Sequence, residues 1–307
     1  MPELPDITVY LEALQHRIER KPLLKIRINH PFLLKTVEPP VSAFEGRRVK
    51  QFRRIGKRIA IGLEEDYWMV LHLMIAGRLQ WKPPQFVMSR RYGLAAFYFD
   101  EGTLVITEAG TRHRASLHLV QGESALKVHD PGGLEVFDIS EQQFQAHLRN
   151  RCGNRPIKKV LTDPTLFSGI GNAYSDEILF HAKMSPFAIG SKLNDSQIDQ
   201  LLMTCRKVLH DWTNKLRKEN GFKFPGKVTA FHPDMAVHGK FGSLCTVCQA
   251  PIQRIRYAEM KETNYCPGCQ TEGRILADRV MSRLLKDDRP KHLNDLLEYQ
   301  DKLFEDE

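Results

Sequence analysis

Four of the six cysteines fall as C-x2-C-x17-C-x2-C, at Cys245, Cys248, Cys266 and Cys269. Paired thiols at this spacing suit the tetrahedral preference of zinc. Four sulfur ligands leave no open coordination position, so one structural zinc ion is expected, not a catalytic one. Cys152 and Cys205 stand alone and read as ordinary thiols. The start, MPELPD, raises a different chemistry. Removal of Met1 gives Pro2 a secondary α-amine with a pKa of about 8, so a useful fraction is a neutral nucleophile near neutral pH. Glu3 beside it is a carboxylate able to shuttle protons. A plainer reading also stands: Pro5 and Asp6 suit the first turn of a helix, and Glu3 is favourable at its N-terminus.

Two other stretches carry binding chemistry. In RRVKQFRRIGKR, residues 47–58, Arg47, Arg48, Lys50, Arg53, Arg54, Lys57 and Arg58 are unbroken by any acid. They form either a solvated strand face or a surface for phosphates. In LFSGIGNAYSDEILF, residues 166–180, Gly169 and Gly171 make a tight turn, and Asn172 opens the next helix. Such a turn aims backbone N–H groups and an amide at a phosphate, or is a helix connection with an ordinary cap.

The elements that position these residues follow from periodicity. Ile7, Leu11, Leu14 and Ile18 recur at helical spacing. From about 23 to 122, short apolar runs (RIAIGL, YWMVLHLM, LAAFYF, TLVIT) alternate with Gly, Pro and charged turns, which predicts a β-rich domain. From 140 to 217 the pattern is helical, with a capping box at Ser140 and Gln143 and a long amphipathic helix in SQIDQLLMTCRKVLHDWTNKL. QAPIQRIRYAEMKETNY, between the cysteine pairs, reads as a β-hairpin, and RILADRVMSRLL as a helix in the tail. The expected modules are 1–125, 126–235, 236–270 for the finger, and a 271–307 extension of unknown role.

The bulk numbers set limits. A chain of 307 residues is long for one core. No apolar run reaches membrane-spanning length and the start is acidic, so no anchor or signal peptide is expected, and a cytoplasmic location follows. The net charge of +8 and pI near 9.1 lean toward polyanionic partners.

In order along the chain, MPELPD, a β-rich domain with a basic strand, GIGNAYSDEILF and a four-cysteine finger resemble the formamidopyrimidine-DNA glycosylase / endonuclease VIII family of base-excision repair enzymes. The resemblance covers about residues 1–269. It implies an α+β fold: an N-terminal helix plus β-sandwich domain, then a helical helix–two-turn–helix domain with a β-hairpin zinc finger. It implies a bifunctional glycosidase and AP lyase that removes oxidised or ring-opened bases from damaged double-stranded DNA. Pro2 would form a Schiff base and β,δ-elimination would follow. A monomer is the simplest arrangement for such a clamp, nucleoid-associated in a bacterium.

The resemblance also assigns roles. Glu3 moves protons beside the amine. Lys57 holds the phosphate flanking the lesion. Lys158, with Lys159 adjacent, lies at a matched position before the glycine turn, Asn172 grips the backbone, and Glu177 plays a structural part. The base must leave the stack to be reached. In LHLMIAGRL the family pattern puts the wedge at Ile75; either Ile75 fills the vacated space, or the loop is rearranged and Met74 enters. DNA is expected to run through a basic cleft that brings Pro2, Lys57 and Asn172 together.

Three departures affect the choice of lesion. TEAGTRHRASLHL lacks the Arg-Phe-Gly wedge motif, leaving Arg112, His113 and Arg114 there, with Arg112 and Arg114 facing the complementary strand. The finger turn offers Lys261 where the family has arginine, which loses the bidentate fork; Arg254 or Arg256 would compensate. The 218–235 loop is short for a lid over an oxidised purine. The alternative reading is a protein that binds damaged DNA or junctions without cutting.

Overall fold

The computed structural model describes residues 1–89, 91–109, 113–226, 232–256, 262–276 and 290–296. The chain forms two compact units, Met1–Gly133 with Leu209–Thr229, and Leu134–Val208 with Ala230–Glu307.

The first unit opens with α1 (Leu4–Ile18). Its start is fixed by a capping box. The Glu3 N–H donates to the Asp6 carboxylate at 2.9 Å, and the Glu3 side chain accepts from the Asp6 N–H. Ile7, Tyr10, Leu14 and Ile18 are fully buried along one face, with Leu11 packed at its margin. Eight strands follow: β1 (Lys25–Ile28), β2 (Val49–Ile55), β3 (Arg58–Leu63), β4 (Tyr67–His72), β5 (Gly77–Lys82), β6 (Gly93–Phe99), β7 (Gly102–Glu108) and β8 (Ser116–Gln121). They make two four-stranded antiparallel sheets, ordered β1-β6-β7-β5 and β2-β3-β4-β8. Alternate residues of both sheets, such as Phe97, Leu104 and Ile106 from one and Ile59, Met69 and Leu117 from the other, join the α1 face in one core. The outer face of the second sheet is apolar too, because α2 (Glu123–Lys127) covers Ala60, Trp68 and Val70 with Leu126.

The second unit is helical. α3 (Glu141–Arg151) begins with the expected capping box: Gln143 N–H donates to Ser140 Oγ at 3.2 Å and Ser140 N–H to Gln143 Oε1 at 2.8 Å. α4 (Ile157–Leu161) and α5 (Asn172–His181) flank the glycine turn. α6 (Asp195–Asn220) is the long amphipathic helix. The hairpin strands β9 (Gln253–Arg256) and β10 (Glu262–Tyr265) pair antiparallel, and α7 (Pro267–Thr271) follows. The helix, sandwich, helical domain and hairpin finger match the expected α+β organisation. The tail helix expected in RILADRVMSRLL falls largely outside the described residues. Of the extension, Leu293 packs beside Val237, Ile252 and Cys266 of the finger core.

The compact units cut the chain at other points than the four sequence modules. Residues after Val208 return to the first unit because they pack on α1. Arg217 donates to Glu12 at 2.6 and 3.0 Å, Phe222 stacks on His16, Phe224 stacks on Tyr10, and Tyr10 Oη donates to the Pro225 carbonyl at 3.3 Å.

Candidate active site and nucleic-acid interface

In the first unit the N-terminus is held among charges. Pro2 is buried and Glu3 is 3% exposed. Burial lowers the pKa of the Met1 amine; the nearby Glu3 and Asp6 carboxylates oppose this, and Arg78 and Lys57 add to it. Pro2 nitrogen is one residue further in. Lys57 is the second residue of a two-residue hairpin turn between β2 and β3, after Gly56 with φ of +58°. Burial lowers the Lys57 pKa, and the negative charge of Glu3 partly restores it. The capping box and the charged cluster are therefore compatible uses of Glu3.

Three cations of the basic run around Lys57 are paired with acids. Arg47 pairs with Glu65 at 2.8 Å, Lys50 with Glu64 at 3.4 Å, and Arg53 with Glu123 at 2.8 Å while lying over Trp68. Lys57 has no carboxylate within ion-pair distance among the described residues, unlike Arg47, Lys50 and Arg53.

Between β4 and β5 the chain makes a short turn closed by the Gly77 N–H donating to the Leu73 carbonyl at 2.9 Å. A Cβ at position 77 would lie 2.2 Å from that carbonyl oxygen, so only glycine fits. Met74 adopts a φ of +53° and is half-buried, while Ile75 projects with 59% of its surface exposed. Of the two wedge candidates, Ile75 is at the tip. Arg114 is exposed; its N–H and that of Ala115 donate to the buried Glu108 carboxylate at 3.0 and 3.2 Å, which pins the base of the loop. His113 stacks on Phe32 at 5.2 Å. Arg112 lies outside the described residues, as does Lys261.

Behind this turn, His72, His118 and His129 gather around Arg58. Burial is the main cause lowering His118 to about 4, with His129 and Arg58 adding to it; His72 falls to about 4 through burial, then Arg58 and Lys57. The unfolded chain binds protons at these sites near pH 6.5 while the folded chain does not until about pH 4. Their contribution to stability is thus present above pH 6.5 and is lost as pH falls toward 4. Urea midpoints at pH 7 and pH 4.5 should differ less in His118→Phe than in the wild type. An identical drop in both would exclude His118 as a source of acid sensitivity.

In the second unit the glycine turn is backed by a buried polar network. Lys158, at the matched position before the glycine turn, is 8% exposed and its ammonium pairs with the Asp176 carboxylate. The reason is position: α4 packs on α5, so the lysine points at the acid one turn into that helix. Asp176 Oδ2 also lies 2.7 Å from His238 Nδ1 and accepts from the Asn264 N–H at 3.1 Å. Glu177 accepts from the N–H groups of Ala236, Val237 and His238 at 2.8, 2.9 and 3.0 Å, the structural part expected of it. Asn172, at the first turn of α5, donates through Nδ2 to the Glu262 carbonyl at 2.9 Å.

The cysteines of the finger converge. All four sulfur atoms lie within 4.8 Å of one another, with Cys245 and Cys269 Sγ at 3.8 Å. Sulfur atoms around one tetrahedral metal would be about 3.8 Å apart for metal–sulfur bonds of ~2.3 Å, so the cluster could hold a metal ion. A Cβ on Gly268 would meet Cys248 Sγ at 2.8 Å, so this glycine lets the sulfur approach. Arg254, one of the expected substitutes for the turn arginine, lies over the Phe241 ring at 4.0 Å and near Glu262.

Residues 1–117 match the formamidopyrimidine-DNA glycosylase N-terminal domain, and residues 134–217 the H2TH domain of the same family. An uncharacterised formamidopyrimidine-DNA glycosylase-like protein of Mycobacterium tuberculosis is 39% identical over 154 residues, half of this chain and 94% of its own length. The chain belongs to the formamidopyrimidine-DNA glycosylase family. A formamidopyrimidine-DNA glycosylase of Desulfitobacterium hafniense is 29% identical over 281 residues, 88% of this chain and all of that one. Among solved structures, Lactococcus lactis Fpg bound to abasic-site DNA superposes with a TM-score of 0.77 at 25% identity, over 88% of this chain and 99% of that one. The same enzyme with an oxidised-pyrimidine DNA gives 0.77 at 26% identity, over 88% and 100%. No helix among the described residues of this family member is long and apolar enough to cross a membrane.

Sequence reasoning did not single out Asp176, His238, Asn264 or Arg78. Asp176 had a signal: two adjacent acids inside the apolar run AYSDEILF must both find partners once buried. The others come from distant segments and had none.

Proposed function

We propose that the chain is a bifunctional DNA glycosylase and AP lyase acting on damaged double-stranded DNA. The carrying observation is the buried N-terminus beside Glu3 and Lys57, where the environment favours a neutral amine. After Met1 is removed, the Pro2 nitrogen attacks C1′ of the extruded nucleotide. The nitrogen–carbon bond forms, and the glycosidic bond breaks with its electrons leaving on the base. The nitrogen loses its proton, which neutralises the departing base; Glu3 delivers a proton to the ring oxygen as the sugar opens, and the freed nitrogen lone pair completes an iminium. The iminium acidifies the C2′ hydrogen. Loss of that proton expels the 3′ phosphate, and a second elimination expels the 5′ phosphate.

Lys57 binds the phosphate beside the lesion, and Ile75 enters the space left by the base. Asn172 holds the backbone, with Arg112, Arg114 and Lys261 as further phosphate or strand contacts. Four cysteines hold one zinc ion that keeps the finger folded. The similar Lactococcus lactis Fpg structures with abasic-site and oxidised-pyrimidine DNA support this substrate class.

Borohydride trapping on abasic-site DNA tests the reading. The processed wild type should give a covalent band, Pro2→Gly a weaker one, and a chain with a blocked N-terminus none. Equal trapping by the blocked chain would eliminate Pro2 as nucleophile. Binding of abasic DNA with no cleavage product would select the non-cutting alternative.

A further inference from the structure

Arg78, the second residue of β5, was not assigned a role by sequence. Its Nη1 donates to the carbonyl oxygens of Ile75 at 3.2 Å and of Gly77 at 2.5 Å, so it spans the turn that carries the exposed Ile75. Among the described residues it has no carboxylate within ion-pair distance. Its charge is close enough to the N-terminal amine and to Tyr10 to act on both. It also lines an open cavity of about 460 Å³ with Arg17, Trp81 and Phe224. One guanidinium therefore touches the Ile75 turn with one nitrogen and acts with its charge on the N-terminal amine, one residue before the Pro2 nitrogen.

We propose that Arg78 is a positioning residue for the reaction, locking the Ile75 turn and setting a fixed positive charge beside the reactive amine. This rests on the function proposed above. The turn needs such a lock because Met74 is in the left-handed region, a conformation that a non-glycine residue keeps only when its surroundings hold it. Arginine suits the task because one Nη supplies both donors to the two carbonyls while the rest of the planar guanidinium presents charge elsewhere. The amine is faced by Glu3 and Asp6 from α1, Lys57 from the β2–β3 turn, Arg78 from β5 and His72 from β4. Of the cations in that set, Arg78 alone also bonds the wedge turn.

Two substitutions separate the effects. Arg78→Gln removes the charge; the pH midpoint of borohydride trapping should rise by about half a unit or more, because a nearby positive charge disfavours the protonated amine. Arg78→Lys keeps the charge and loses the fork. Its trapping midpoint should stay with the wild type, while base release from a lesion duplex falls roughly tenfold relative to cleavage of an abasic duplex, where no base is extruded. If Arg78→Gln does not fold, the ratio in Arg78→Lys decides alone. Wild-type ratios and midpoints in the variants would overturn the proposal. Failure of the wild type itself to trap would instead overturn the Pro2 reading.

Discussion

Asp176→Ala should raise amide exchange in α5 and β10 at least a hundredfold. The Asp176 carboxylate is fully buried and serves three partners: the Lys158 ammonium, His238 Nδ1 and the Asn264 N–H. Removing it leaves the lysine buried without a counter-charge and two donors without an acceptor. Breaking a buried pair from one side costs about 3–5 kcal/mol, and tenfold in an opening constant corresponds to about 1.4 kcal/mol. The loss is local, so hydrogen exchange is the suitable readout; a two-unit chain need not unfold in one step. Adding Lys158→Met to Asp176→Ala should recover part of the protection, since the stranded charge is then gone. Exchange in α5 within a few-fold of wild type would mean that apolar packing, not this network, sets stability there.

The second large effect is removal of the proposed zinc. Structural zinc contributes about 10–16 kcal/mol of apparent binding energy in isolated fingers, more than so short a hairpin can replace. Cys245 and Cys266 are fully buried with Phe180, Val237 and Ile252, so the site is part of the local core. Without a cation the Cys266 and Cys269 thiols resist ionisation: burial raises both, and burial followed by contact with the neighbouring sulfurs pushes Cys269 up to about 11. A strong chelator should strip one equivalent of zinc, expose the β9–β10 amides and weaken DNA binding. A hairpin still protected in chelator would show that the metal is not needed for its fold.

The effects differ in how visible they are in the sequence. The cysteine spacing reveals the finger because ligand geometry fixes the local chain. MPELPD reveals the helix start, since Glu3 and Asp6 form the cap within four residues, and carries the proposal of a reactive end. The strand pattern reveals the sandwich, although not its sheet order, which depends on pairing between distant segments. Lys158 shows the limit. The sequence places it before the glycine turn, but the acid that claims it is reached only through helix packing. Arg78 was hidden for the same reason: one arginine in a strand carries no pattern, and its meaning lies in a turn whose shape depends on Gly77. Of the 218–235 stretch expected as a loop, 218–220 close α6 and 227–231 lie outside the described residues; that Phe222 and Phe224 stack on His16 and Tyr10 of α1 had no signal in the sequence.

The hydrogen bond from Asn172 to the Glu262 carbonyl has one more consequence. An amide carries two N–H donors and one acceptor, so this bond leaves a donor and an oxygen for a ligand. It also fixes the rotamer ahead of the DNA contact proposed for Asn172. Immobilising such a side chain upon association costs about 0.5–1.5 kcal/mol. Here that ordering is completed during folding, and the finger backbone keeps the amide waiting in a single orientation.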